Sequence, residues 1–218
     1  MIIIVDYKVG NLGSVMNMFK KTNVPAEVSS DPQIITKADG ILLPGIGRFD
    51  FAMKALIASK LIPVLNEFAF DQKKPILGIC VGYQLMAKHS EEGDCAGLGW
   101  FDAHVKKMRF PEESDLRVPH MGWNSISVSS NQVHGKELLK FEDPETRFYF
   151  AHSYYVDVHN SDQALAKTKY GFEFDAALAQ DQIFGVQFHP EKSHRFGMQL
   201  FRNFGDLVDL EKSKRIGA

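Results

Sequence analysis

Cys80 stands between Gly78 and Gly82 in the run "PILGICVGYQLM", residues 75 to 86, where a β-like apolar stretch gives way to a helix-like pattern. A nucleophile on a sharp strand-to-helix turn needs small residues two positions to either side, because larger ones would collide with the strand or the helix. The G-x-C-x-G spacing meets that need. Such a turn also leaves the sulfur at a helix N-terminus, where the dipole and free N–H groups favour the reactive thiolate. By the pentapeptide alone, Cys80 is equally a buried cysteine in a glycine-containing βα turn. A thiolate nucleophile needs a base, and "GVQFHPEKS" offers His189, with Glu191 placed to orient the imidazole. Pro190 disfavours a helical His189, so the triplet is expected to be extended, with residues 189 and 191 on one side. Taken alone, His189 is a strand-end histidine followed by an exposed glutamate.

The elements that must position these groups are readable from periodicity. "IIIV" at Ile2 to Val5 reads as a buried strand, and Leu12, Val15, Met16 and Phe19 recur at helical spacing. "GILLP" at Gly40 to Pro44 is a second buried strand. It is followed by the loop "GIGRF" and an apolar helical stretch from Phe51 to Phe70, interrupted by Pro63. "PILGI" is a third strand, with helix periodicity resuming after Gly82. Strands alternating with helices imply an α/β fold with a doubly wound, mostly parallel sheet. In the second half, "RFYFA", "ALAKT", "FEFDAALA" and "IFGVQF" are short β-rich runs between turn residues, which predicts additional antiparallel or mixed strands. A closing helix is expected from about Met198 to Val208, with Phe201, Phe204 and Val208 inward. Residues 1–210 then form a single domain, and 211–218 a polar tail that frays.

The chain has 218 residues, enough for one well-cored domain. Its 25 Lys plus Arg against 27 Asp plus Glu, with no basic stretch, argue against nucleic acid as a partner. Four apolar residues after Met1 make neither a signal peptide nor a spanning helix, so a membrane is not expected and the cytoplasm is. Cys80 and Cys95, the only cysteines, suit a reducing compartment. His89, His104, His120, His134, His152, His159 and His194 form no recognisable ligand pattern, so neither a metal nor a cofactor is expected. G-x-G-x-x-G and Walker patterns are missing, which removes the suggestion of a nucleotide loop at "DYKVGN".

Gly78 to Gln84 together with His189-Pro190-Glu191 resembles the class I (triad) glutamine amidotransferases. More narrowly, "DYKVGN", "LPGIGRF", "PHMGWN", "FAHSYY" and "QFHPEKS", in that order, resemble the HisH family, glutaminase subunits of imidazole glycerol phosphate synthase. The resemblance runs from about Ile2 to Phe204. It implies a flavodoxin-like amidotransferase fold and a catalytic set of Cys80, His189 and Glu191. It further implies oxyanion donors at Val81 and in the loop of Ile46 and Gly47, and L-glutamine held by positions Gly45, Gly47, Gln84, Glu92, Ser153 and Tyr154. A (β/α)8 barrel synthase subunit, HisF-like, is the implied partner in a heterodimer, with Pro119, Met121, Trp123, Tyr149 and Lys192 at or near the junction.

The chain departs from the family at Lys8, where glycine is usual, and at Tyr83, where methionine is common. HisH-like subunits also occur in surface-sugar assembly, where a related barrel passes ammonia to a sugar amidotransferase. Of the other rival readings, a noncatalytic partner-binding homologue has no need of Cys80, His189 and Glu191 together. A γ-glutamyl cysteine hydrolase is disfavoured by "PHMGWN" and by the motif order.

Overall fold

Apolar runs flanked by turn residues become strands buried on both faces, and the helices cover them. In the computed structural model the described residues are 1–129 and 135–217, so His134 and Ala218 lie outside them. The first half runs β1 Ile2–Val5, α1 Leu12–Thr22, β2 Ala26–Ser29, α2 Pro32–Lys37, β3 Gly40–Leu43, α3 Phe49–Ser59, α4 Ile62–Asn66, β4 Ile76–Ile79 and α5 Val81–Gln84. There follow the short β5 His89–Ser90 and β6 Cys95–Ala96, then β7 Ala103–Lys107, β8 His120–Ser125, β9 Ser127–Val128, β10 Arg147–His152 and β11 Tyr154–Val158. The chain closes with β12 Ala164–Tyr170, β13 Phe172–Gln180, β14 Ile183–Val186 and α6 His194–Ile216.

Among the described residues the main sheet runs β2-β1-β3-β4-β14-β13-β11-β7-β5-β6, with β12 and β9 branching from β13. From β2 to β14 the pairs are parallel, and β13 turns antiparallel to β14, β12 and β11. The expected central parallel sheet, from β2 to β14, with antiparallel additions is therefore present. β1, β3, β4 and β14 are buried at every position, as strands covered on both faces must be. A separate two-stranded ribbon pairs β8 with β10 in the register His120↔His152, Gly122↔Phe150 and Asn124↔Phe148.

α1 begins where Asn11 accepts a hydrogen bond from the Ser14 N–H and ends on Asn23 in the left-handed region. Phe19 of α1 meets Phe201 of α6 edge to face, with ring centroids 4.7 Å apart, and Phe204 and Val208 are buried as expected. No helix among the described residues is long and apolar enough to cross a membrane.

Several boundaries differ from the sequence reading. The stretch 51–70 begins earlier, at Phe49, and breaks at Lys60, whose φ of +60° caps α3. Pro63 does not interrupt it; it sits in the first turn of α4, where its missing N–H leaves no helical bond unmade. The helix after Gly82 is a single turn, α5. Met86 and Ala87 donate to the carbonyls of Tyr83 and Gln84, three residues back, and this tightening ends it. The closing helix is longer than periodicity indicated, running from His194 to Ile216, so the polar residues from Glu211 continue as helix. Lys8 holds φ +69°, the region where glycine is at ease, and both its N–H and its ammonium bond to Asp6. Tyr83 is fully buried beside Gly185, where a Cβ would come within 2.1 Å of its ring.

Candidate active site

Cys80 ends the β4 run with φ 51° and ψ −109°, a conformation that L residues avoid and that a surrounding structure must enforce. The enforcement is visible. The Cys80 N–H donates to the Val186 carbonyl, 2.8 Å away, and the Gln84 N–H donates back to the Cys80 carbonyl at 3.0 Å. A Cβ at Gly78 would lie 2.9 Å from the Tyr83 Cα, and one at Gly82 would lie 2.0 Å from the Leu43 carbonyl oxygen. The glycines that flank the cysteine are thus required by close backbone approach, as their spacing predicts. Because α5 is one turn long, the expected helix N-terminus contributes little field at the sulfur, and the neighbouring side chains dominate.

One of those is His189. Its backbone is extended (φ −103°, ψ 92°), as the following proline requires, but Pro190–Lys192 form a 3-10 turn, so the triplet is not extended throughout. The turn is held by Ser193, whose hydroxyl donates to the His189 carbonyl at 2.6 Å and accepts from the Tyr149 N–H at 3.0 Å. It carries Glu191 back under the ring, where Oε1 accepts from His189 Nδ1 at 2.8 Å, both side chains being buried. Nε2 is left for the Cys80 thiol, which lies within hydrogen-bonding reach of the imidazole. Burial opposes the charged ring, yet Cys80 and Glu191 outweigh it and push the His189 pKa up to about 10. A cationic imidazole against the sulfur is the charge arrangement in which a thiol becomes nucleophilic.

These residues open into a cleft of about 340 Å³ at the carboxyl ends of β3, β4 and β14. Ile46, Gly47, Gln84, Glu92, Ser153 and Tyr154 line it, and Pro119, Met121 and Lys192 stand at its wall. Gly45 lies behind that lining, packed on the backbone of Val81 and Gly82, where a Cβ would be 2.3 Å from the Gly82 nitrogen. The Tyr7 hydroxyl pins the start of the loop by donating to the Pro44 carbonyl at 2.6 Å, while Gly47 beyond it is exposed, with φ +84°. Glu92 Oε2 accepts from the Phe49 N–H at 2.8 Å, so Glu92 faces the cleft whereas Glu91 pairs with Arg109 at the surface. Along β8 the pattern alternates: Met121 (62% exposed) and Trp123 (42%) face outward, and His120 faces in. Trp123 stacks on His194, and Lys192 Nζ sits 5.8 Å from the ring of Tyr149. A larger groove of about 1050 Å³, between α6 and residues 135–146, contains none of the catalytic candidates.

Two buried histidines, His152 in the cleft lining and His120 beside it, were not singled out for a role from the sequence, because a lone histidine on a strand carries no signal. His152 Nδ1 donates to the Tyr154 carbonyl at 2.8 Å, which leaves its Nε2 to accept from His120 Nδ1 at 3.0 Å. Burial holds both neutral, lowering His120 to about 4 and His152 to about 3. Between these values and the ordinary 6.5, the unfolded chain takes up protons that the folded one refuses. Stability should therefore fall as pH drops below 6.5, by about 1.4 kcal/mol per pH unit for each histidine. Urea unfolding of the native chain and of His120→Phe between pH 7 and 5 checks this; the variant's slope should be about half as steep. His189, raised rather than lowered, contributes stability that is constant below pH 6.5 and is lost as pH rises from there toward 10.

The comparisons with known proteins point the same way as this geometry. The family model for glutamine amidotransferase class-I matches residues 3–207. The chain is 45% identical to imidazole glycerol phosphate synthase subunit HisH 2 of Pseudomonas aeruginosa, over 95% of this chain and all of that one. It is 44% identical to the subunit HisH 2 of Methanococcus maripaludis, over 94% of this chain and 98% of the relative. Among solved structures, the glutaminase domain of Trypanosoma brucei CTPS with bound acivicin superposes with a TM-score of 0.64 at 17% identity, covering 96% of this chain and 93% of that one, which speaks for the fold alone. Strained cysteine, buried base and near-complete coverage by the family converge, and the chain belongs to the class-I glutamine amidotransferases.

Proposed function

We propose that the chain is the glutaminase subunit of an imidazole glycerol phosphate synthase, hydrolysing L-glutamine and handing ammonia to a HisF-like (β/α)8 barrel in a heterodimer. The observation that carries this reading is the strained Cys80 facing a base that buried Glu191 holds from behind, at the foot of a cleft walled by Pro119, Met121 and Lys192. Cys80 Sγ attacks the side-chain carboxamide carbon of glutamine. The oxyanion that forms is met by the Val81 N–H, which as the first of α5 has no acceptor within its helix, and by the Ile46–Gly47 loop. His189 gives its proton to the departing nitrogen, and ammonia leaves a thioester. The neutral imidazole then takes a proton from water, hydroxide adds to the thioester carbon, and glutamate departs as the thiolate is restored beside the imidazolium.

Glutamine is held by Gly47, Gln84, Glu92, Ser153 and Tyr154, with Gly45 supporting the loop from behind. Glu92 suits its ammonium group, and the hydroxyls and amide suit its carboxylate and carboxamide. Free ammonia is mostly protonated at neutral pH and useless as a nucleophile, so the product must pass directly to a partner. The outward Met121 and Trp123, with Tyr149 and Lys192 beside them, form an aromatic and cationic face suited to that docking. A reducing cytoplasm keeps Cys80 a free thiol, as it is here.

Glutamate release from glutamine, measured for the chain alone and with a HisF-like barrel and its nucleotide ligand, tests the proposal. Hydrolysis should rise by about 10²-fold or more on docking, since the barrel completes the preorganised site. No rise with that barrel would remove the histidine-pathway partner. The alternative acceptor is a sugar amidotransferase fed through a related barrel. Stimulation confined to a barrel from surface-glycan assembly would support that acceptor instead.

A further inference from the structure

Gln187 lies on the segment between β14 and His189, wholly buried, and no role described so far uses it. It is two residues before the base, just past the end of β14 at Val186. The orientation of its amide follows from a group that cannot be reversed. The Tyr154 carbonyl only accepts, so Gln84 must present Nε2 to it, at 2.9 Å. The second hydrogen of the same nitrogen goes to Gln187 Oε1 at 3.0 Å. With its oxygen so engaged, Gln187 has only its amino group to turn toward Cys80, and Nε2 stands 3.9 Å from Sγ. His152 donates to the same Tyr154 carbonyl and accepts from His120, so the anchor of this arrangement is itself fixed from β8.

We propose that Gln187 is a positioning residue for the nucleophile: its Nε2–H donates to the Cys80 sulfur, holding it toward the cleft and stabilising it as the anion. This rests on the assignment of Cys80 as nucleophile. The titratable groups facing the sulfur are His189 and Tyr7, with Glu191 behind His189. Tyr7 gives its hydrogen to the Pro44 carbonyl. His189 surrenders its proton to the departing ammonia, so its charge is absent until water has been activated. Gln187 is a neutral donor, present in the same form at every stage, including the moment the thiolate is expelled from the thioester. Chains of buried amide donors of this kind gain strength because no water competes for them.

The test is the rate of Cys80 alkylation by iodoacetamide as a function of pH, in the full chain, with the peptides carrying Cys80 and Cys95 quantified separately. Gln187→Met keeps the volume and removes the donor. Its profile should be displaced toward alkaline pH, with the rate at pH 7 reduced about tenfold, and glutamine turnover should lose kcat more than KM. Gln84→Met frees the Gln187 amide to rotate without touching the sulfur, and should produce a smaller displacement in the same direction. It carries the test should Gln187→Met fail to fold. Profiles of the folded variants that superimpose on the native one would overturn the proposal while leaving Cys80 as nucleophile. Native Cys80 reacting no faster than Cys95 would instead overturn the assignment beneath it, and the proposal with it.

Discussion

Cys80→Ala should abolish glutamine hydrolysis, by on the order of 10⁵-fold or more, while leaving the partner's synthesis from added ammonia intact. The variant keeps the Cβ and removes only the sulfur, so the elbow's contacts with Val186 and Gln84, which are made by backbone atoms, are untouched. No other group in the cleft can form the thioester, and His189 without the sulfur has no nucleophile to act on. Added ammonia bypasses the glutaminase chemistry and needs only a docked, folded subunit. Glu191→Gln, by contrast, leaves an oxygen that still accepts from His189 Nδ1 and removes only the negative charge, so a smaller loss, roughly 10²-fold, is expected. The checks are glutamate release and ammonia-dependent product formation on the reconstituted complex. Loss of both activities in Cys80→Ala would mean that the cysteine serves the fold rather than the reaction.

Gly82→Ala should be severely damaging for a single methyl group. The new Cβ would lie 2.0 Å from the Leu43 carbonyl oxygen and 3.0 Å from the Pro44 carbonyl carbon, all backbone atoms of the neighbouring strand and its loop. β3 cannot retreat, because it is paired with β1 on one side and β4 on the other. The clash therefore falls on the elbow and on the loop that carries Ile46 and Gly47. A destabilisation of about 3 kcal/mol is expected, lowering the unfolding midpoint by roughly 6–12 °C, together with loss of hydrolysis in whatever remains folded. Gly13→Ala supplies the contrast: nothing lies within 4 Å of its Cβ position near the start of α1, and alanine there should be neutral or stabilising by about 0.5–1 kcal/mol. Differential scanning calorimetry of the two variants distinguishes crowding from a general intolerance of glycine replacement.

The glycines of the elbow and the extended backbone of His189 were legible from type and spacing, since local steric demands write themselves as glycines around a cysteine and a proline after a histidine; the 3-10 turn of Pro190–Lys192, where an extended triplet was expected, was not. So were β1, β3, β4 and β14, because strands buried on both faces are continuous apolar runs. Less was readable where one face stays polar. β2 with α2, and β7 with β8, alternate or mix residues so evenly that only pairing with a neighbour defines them. The lengths of α5 and α6 also escaped periodicity, because tightening bonds in the one and docking of a polar helix in the other are set by contacts distant in sequence.

What the sequence by itself determined was the candidates for the reacting groups and the small residues that the Cys80 backbone requires. What only the tertiary structure decided was which polar atoms meet: His189 with Cys80, Glu92 with the Phe49 N–H, and Gln187 with Gln84 and the sulfur. Hydrogen-bond direction depends on which fixed carbonyl a side chain reaches, and that is a property of strands brought side by side, not of spacing along one of them.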